Sequence, residues 1–241
     1  MRLIDYSAPT PAENLALEEV LLERVETGAA PDTLRIWEST VPFVVLGTGQ
    51  VLAAEVREEA CAADNIPILR RCSAGGCVLQ GPGCLNFSLA LSYAAFPQAA
   101  SLHESYCWVL TELARAFRLQ GSHLIHEGTC DLAIDGLKVS GNAQRRKRRA
   151  MLHHGTLLYR PDVTAISLYL REPADRPGYR GHREHDAFVG HIPMAREKVW
   201  AAVVEAFEPS SEPVPATQEE LEAMRRLAVE KYQTRAWTYR R

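Results

Sequence analysis

Two arginines followed at once by small residues are the first stretch of this chain suited to chemistry. Arg70-Arg71 lead into Ser73-Ala74-Gly75-Gly76, and a second turn, Gly81-Pro82-Gly83, precedes Asn86-Phe87-Ser88. Glycine lets backbone N–H groups approach a ligand closely, and guanidinium groups suit a carboxylate or phosphate. A small acid or a nucleotide fits this composition; so does a glycine-rich hairpin between two core strands. Further on, residues 128–159 read GTCDLAIDGLKVSGNAQRRKRRAMLHHGTLLY. Lys138 follows an Asp135-Gly136 turn, where a lysine is ordinarily solvated. His153 and His154 are neighbours on an apolar run, so as strand residues they face opposite ways and one at most meets a ligand. No third residue at metal-ligand spacing accompanies them. Arg145–Arg149 is RRKRR, a run that usually forms a solvated turn. No aromatic residues interleave it, which argues against nucleic acid.

Taken together, the two stretches resemble the lipoate–protein ligase and octanoyltransferase family, built on the biotin/lipoate A/B protein ligase catalytic domain. The first block is Arg70-Arg71, the Ser73–Gly76 loop and Asn86-Phe87-Ser88; the second is Asp131-Leu132, Lys138-Val139-Ser140-Gly141-Asn142-Ala143-Gln144 and His153-His154-Gly155-Thr156-Leu157-Leu158. Weaker similarity runs from Asn14 to Trp237. The resemblance implies an α+β fold of the biotin/lipoate ligase type, similar to class II synthetases, with a central mixed, mostly antiparallel sheet flanked by helices. It implies activation of lipoate or octanoate by ATP with Mg²⁺, then transfer of the acyl group to a lysine of an acidic lipoyl carrier domain, of the dehydrogenase E2 or glycine-cleavage H type. Lys138 becomes the catalytic cation, placed to stabilise charge on the attacking carboxylate and the α-phosphate. The acyl and adenylate pocket is expected to be bordered by Arg70, Ser73, Gly75, Gly76, Asn86, Asp131, Ser140, Gly141, Ala143, His154, Gly155 and Thr156. Arg71 has the simpler expectation of pairing with a carboxylate, and Asp131 that of holding either Mg²⁺ or the Lys138 ammonium; no metal ligand set is assigned. The RRKRR run gains a second reading, steering of an acidic carrier.

Three departures qualify the resemblance. Ala74 stands where the family usually has a third glycine, Gln80-Gly81 where it has His-Asp, and Cys130-Asp131 where it has Asn-Asp. The thiol of Cys130, close in sequence to Lys138, is the candidate nucleophile of an alternative reading: an ATP-independent octanoyltransferase that takes its acyl group from a carrier thioester through an acyl-enzyme. Cys130 is offset from the usual transferase cysteine, and a buried apolar role is its other reading. A third possibility is a non-catalytic partner that binds lipoyl carriers; a separate accessory subunit is compatible with the ligase reading, since the resemblance includes ligases divided between two chains.

These residues need elements to hold them. Thr10 reads as the N-cap of an amphipathic helix over Pro11–Glu26, which Gly28 ends. Strands are expected at Thr33–Trp37, Phe43–Gly47, Ile66–Leu69, Asn86–Leu91, Leu132–Ile134, Leu137–Ser140 and Met151–Leu158. Helices are expected at Glu55–Asp64, Tyr106–Leu119, Val163–Leu170 and Lys198–Phe207, and after the capping box Thr217–Glu220. Arg171–Asp186, rich in Pro, Gly and charge, reads as an ordered surface loop. The 241 residues are expected to form one catalytic domain without a C-terminal accessory domain. A formal net charge of −3 gives no general attraction to nucleic acid or membrane. No run is long enough to span a bilayer and the N-terminus lacks a signal-type apolar core, so a cytoplasmic location is expected. The six cysteines form no CxxC pair, which fits reduced thiols.

Overall fold

A seven-stranded sheet with helices on both faces carries the site, and the alternation along its central strands decides which residues reach it. The computed structural model describes residues 1–210 and 212–241. The elements run β1 (Arg2–Asp5), α1 (Pro11–Glu26), β2 (Thr33–Trp37), β3 (Phe43–Leu46), α2 (Leu52–Glu55), α3 (Glu58–Ala63), β4 (Ile68–Arg70), β5 (Val78–Gln80) and β6 (Cys84–Ser92). Then follow α4 (Leu102–Leu119), β7 (Ile125–Glu127), β8 (Asp131–Ile134), β9 (Leu137–Arg146), β10 (Ala150–Leu158), α5 (Val163–Tyr169), α6 (His185–Phe188), α7 (Arg196–Phe207), α8 (Gln218–Leu227) and α9 (Arg235–Thr238). The large sheet has the order β1-β2-β6-β10-β9-β8-β7; only β1 and β2 pair in parallel. A small sheet, β4-β3-β5, has one parallel and one antiparallel pair. The sheet is mixed and mostly antiparallel, as the sequence implied.

On β6, Leu85, Phe87, Leu89 and Leu91 join the apolar core that includes Val109, Leu113 and Phe117 of α4 and Val199 and Val203 of α7. Ala90 faces the other way, into the core with Leu15, Leu21 and Leu22 of α1. The intervening Asn86 and Ser88 share that second face and are buried there. A strand with one oily face and one polar buried face needs partners for the polar groups, and α1 supplies one in Glu18. The start of α1 is closed by a reciprocal cap between Thr10 and Glu13 with Pro11 in the first turn; such a cap is worth about 1 kcal/mol.

Some boundaries differ from the sequence reading. The expected Glu55–Asp64 helix is two short helices, α2 and α3, broken where Val56 pairs in a bridge with Leu170. Strands β1, β5 and β7 were not expected; each has only three or four residues, too few for a period to show. Among the described residues no helix is long and apolar enough to cross a membrane.

Candidate active site

Lys138 reaches the site because its strand carries one residue too many. Ala133 of β8 pairs with Lys138 and Leu132 pairs with Ser140, so Val139 is left over as a bulge. An extra residue switches the side on which the following side chains emerge. Lys138 therefore shares a face with Gly141 and Asp131, where regular alternation would have set it with Ser140. Its Nζ lies 2.8 Å from Asp131 Oδ1. A Cβ at Gly141 would fall 3.0 Å from Lys138 Cε and 3.1 Å from Nζ, so glycine is what lets the lysine lie across the strand. The Lys-Val-Ser-Gly run thus encodes a bulge that aims a cation and a gap that seats it. Asp131 is held from the other side by Tyr179, whose hydroxyl donates to Oδ2 at 2.9 Å.

A second cluster lies deeper. His154 of β10 places Nδ1 2.6 Å from Glu18 Oε2 and Nε2 2.6 Å from Ser73 Oγ. Ser73 also accepts from Arg71 Nε at 2.9 Å, and the Arg71 guanidinium donates to the carbonyls of Ala74 at 2.6 Å and Gly76 at 2.9 Å. Glu18 in turn accepts from Trp37 Nε1 at 3.0 Å and from the Ser88 hydroxyl. Burial pushes the Glu18 carboxyl up, but His154, Arg35 and Ser88 together outweigh it, so the net shift is downward. His153 faces the opposite core, against Phe87 and Tyr106; burial, with His154 nearby, lowers its pKa to about 3. Its ring nitrogens meet Gln144 and Asn142.

Between these clusters lie two cavities with a common wall. The inner one, about 130 Å³, is lined by Leu15, Trp37, Val45 and Val78 as well as Arg71, Gly75, Asn86 and His154. The outer one, about 440 Å³, runs beneath the 171–189 segment and is lined by Arg171, Arg176, Arg180 and Phe188. Gly76, Cys130, Asp131, Lys138, Gly141 and Thr156 border both. On the inner wall Gln80 Nε2 donates to Thr156 Oγ1 at 2.6 Å, and Thr156 donates to Asn86 Oδ1 at 2.8 Å. A slot with one apolar wall, an outer chamber where Arg171, Arg176 and Arg180 stand among Glu55, Asp175 and the neighbouring Glu172, and a cation at their junction can take an acid, a nucleotide and the group that joins them.

The family model described as "Lipoyl protein ligase A/B catalytic domain" matches residues 10–208. The chain belongs to that family. Its curated relatives include octanoyltransferase LipM of Kyrpidia tusciae, 29% identical over all of this chain and 98% of that protein. They also include lipoate–protein ligase 1 of Staphylococcus aureus, 27% identical over 96% of this chain and 70% of that protein. Among solved structures, the bi-partite lipoate protein ligase of Thermoplasma acidophilum, described with its E2 lipoyl domain, superposes with a TM-score of 0.83 at 21% identity over 99% of this chain and 95% of that one. A lipoate-protein ligase A bound with ATP gives 0.83 at 20% identity over 99% and 98%. The curated relatives thus carry names of both chemistries, ligase and octanoyltransferase, and the two solved ligases share this fold.

For this member of the lipoyl ligase family, several expected pocket residues gather on the cavity walls: Lys138, Asp131, Gly75, Gly76, Asn86, Gly141, Ala143, His154, Gly155 and Thr156. Others do not. Arg70 is fully buried away from the cavities, donating to the carbonyls of Thr238, Gly47 and Gln50; it clamps the C-terminal segment to the Gly47–Gln50 turn. Arg71, expected to pair with a carboxylate, takes the wall position and binds loop carbonyls instead. Ser73 is buried behind the wall, and the Val139 bulge sends Ser140 to the opposite face, where Asn142 Nδ2 donates to it. His154 lines the inner cavity, but both ring nitrogens are engaged, so its imidazole is not free for a ligand. Asp131 meets the Lys138 ammonium, one of its two expected partners, and the Tyr179 hydroxyl.

Cys130 also departs from expectation. A nucleophilic thiol needs a lowered pKa, yet burial and then Asp131 raise that of Cys130, outweighing Lys138. Its Sγ donates to Asp131 Oδ1 at 3.8 Å. Cys77, on the walls of both cavities, is pushed up to about 12, chiefly by burial. Tyr179, Glu18 and Gln80 were not singled out as site residues from sequence. Glu18 left a signal, since it lies three residues after Leu15 and four before Leu22, on the buried stripe of α1. Tyr179 left none: it comes from the loop after α5.

Proposed function

We propose that this chain activates lipoate or octanoate with MgATP and passes the acyl group to a lysine of a lipoyl carrier domain. The observation that carries the reading is the Lys138–Asp131 pair at the border of an apolar inner cavity and an arginine-lined outer one. The acyl chain lies in the inner cavity against Leu15, Trp37, Val45 and Val78, and the nucleotide phosphates lie towards Arg171, Arg176 and Arg180. The carboxylate oxygen attacks the α-phosphorus, pyrophosphate leaves, and Lys138 stabilises the charge shared between carboxylate and phosphate. Asp131, fixed by Tyr179, holds that ammonium in place. The carrier's lysine amine then attacks the acyl carbon, AMP departs, and the amine loses a proton. Mg²⁺ enters with ATP as part of the substrate. Support for the carrier comes from the bi-partite ligase described with an E2 lipoyl domain, and support for ATP from the ligase structure that binds it.

The test is the intact mass of an apo lipoyl carrier domain after incubation with this protein, lipoate and MgATP. A lipoyl-sized gain that requires ATP supports the reading. A gain seen only with an octanoyl carrier thioester, and without ATP, overturns it in favour of octanoyl transfer. That second reading has two observations behind it, the full-length similarity to LipM and the place of Cys130 on both walls. Against it stands the raised pKa of that thiol, since the thiolate is the nucleophile.

A further inference from the structure

We propose that Glu18, His154 and Ser73 form a one-way hydrogen-bond relay that positions the Arg71–Gly76 loop on the cavity wall. The direction follows from counting protons. A carboxylate only accepts, and Glu18 already accepts from Trp37 and Ser88, so the bond to His154 must come from a proton on Nδ1. Ser73 Oγ accepts from Arg71 Nε and is fully buried; His154 Nε2, 2.6 Å away, is the acceptor within reach of its hydroxyl, and the relay assigns the proton to that contact. Within this relay Nδ1 is the donor and Nε2 the acceptor. The chain runs Arg71 to Ser73 to His154 to Glu18, and every proton in it has a partner. At the loop end Arg71 gathers the carbonyls of Ala74 and Gly76 around Gly75, whose φ of +90° suits glycine.

Acid, imidazole and hydroxyl in this order also describe a serine nucleophile and its activating pair. Two features oppose that role here. Ser73 Oγ is buried behind the wall, and one of its lone pairs is taken by Arg71. These are positioning residues.

The test is ¹⁵N NMR of the His154 ring, with acyl-transfer kinetics on Glu18→Gln and Ser73→Ala. In the wild-type protein the proton is expected on Nδ1. In Glu18→Gln the amide oxygen still accepts from Trp37 and Ser88, while the amide N–H faces His154 and drives the proton to Nε2. The acyl-substrate KM then rises about tenfold, the size of one lost buried hydrogen bond, with a smaller change in kcat. Ser73→Ala leaves the proton on Nδ1 and raises the same KM by a similar factor. A wild-type ring protonated on Nε2, or on both nitrogens, overturns the relay. So does complete loss of transfer in a folded Ser73→Ala together with an acyl adduct on Ser73 of the wild type. The kinetic arm rests on the proposed use of the inner cavity; the NMR arm needs no substrate. An inactive protein with an Nδ1–H ring therefore contradicts the functional reading alone, and an active one with an Nε2–H ring contradicts the relay alone.

Discussion

Two polar clusters flank the same cavity, and they differ in how much hydrogen-bonding capacity they leave unspent. Around His154, Glu18, Ser73 and Arg71 are buried and their donors and acceptors are turned on one another. Around Lys138, one ion pair with Asp131 is recorded, and the side chain keeps 28% of its surface. A saturated cluster fixes geometry; a cation with donors to spare can meet charge that develops on a substrate. On the proposed function, positioning falls to one side of the cavity and chemistry to the other.

Removing the cation tests that assignment hardest. Lys138→Ala is expected to lower kcat for acyl transfer by about 10²–10³-fold, the usual cost of losing an electrostatic contact made in the transition state, with an unchanged melting temperature. Gly155→Ala crowds the face opposite His154: its Cβ would lie 2.0 Å from Asn142 Oδ1 and 2.6 Å from Phe87 Cε1. Denaturant unfolding should show a loss of about 1–3 kcal/mol, as for overpacked cores. Gly141→Ala sits between the two, crowding Lys138 at 3.0 Å, and should reduce kcat by about tenfold with little effect on stability. Steady-state rates beside thermal melts separate the three.

The buried histidine gives a pH test. His153 has an ordinary value of 6.5 and a folded value of about 3, so between those values the unfolded chain binds more protons than the folded one. Stability therefore falls as pH drops from about 6.5 towards 3. His153→Gln should flatten that slope in urea melts run across the window. The smallest effect is expected at Cys130, where Cys130→Ser should change ATP-dependent transfer by less than about threefold, a fraction of the ~1 kcal/mol a single hydrogen bond contributes.

Strand β6 was legible because Leu85, Phe87, Leu89 and Leu91 alternate with smaller or polar residues, and α1 and α8 because Thr10-Pro11 and Thr217–Glu220 spell out their caps. Lys138 and the Gly141 gap were legible as a motif; the bulge that makes them work was not, since a leftover residue leaves no mark on hydrophobic periodicity. Arg70 and Arg71 exchanged roles for a related reason. Adjacent strand-end residues point in opposite directions, and only the C-terminal segment, 168 positions away, decides which of them it takes from the cavity wall. Tyr179 was hidden because its partner Asp131 is 48 positions distant and its loop has no period to read.

The most direct measurement is the single-turnover rate of acyl-adenylate formation from lipoate and MgATP by wild-type protein and Lys138→Ala. The account predicts that the adenylate forms in the wild type and in Cys130→Ser alike, and is lost in Lys138→Ala. Adenylate formation at the wild-type rate in Lys138→Ala would contradict it, because the cation at the border of the two cavities would then have no part in the step assigned to it.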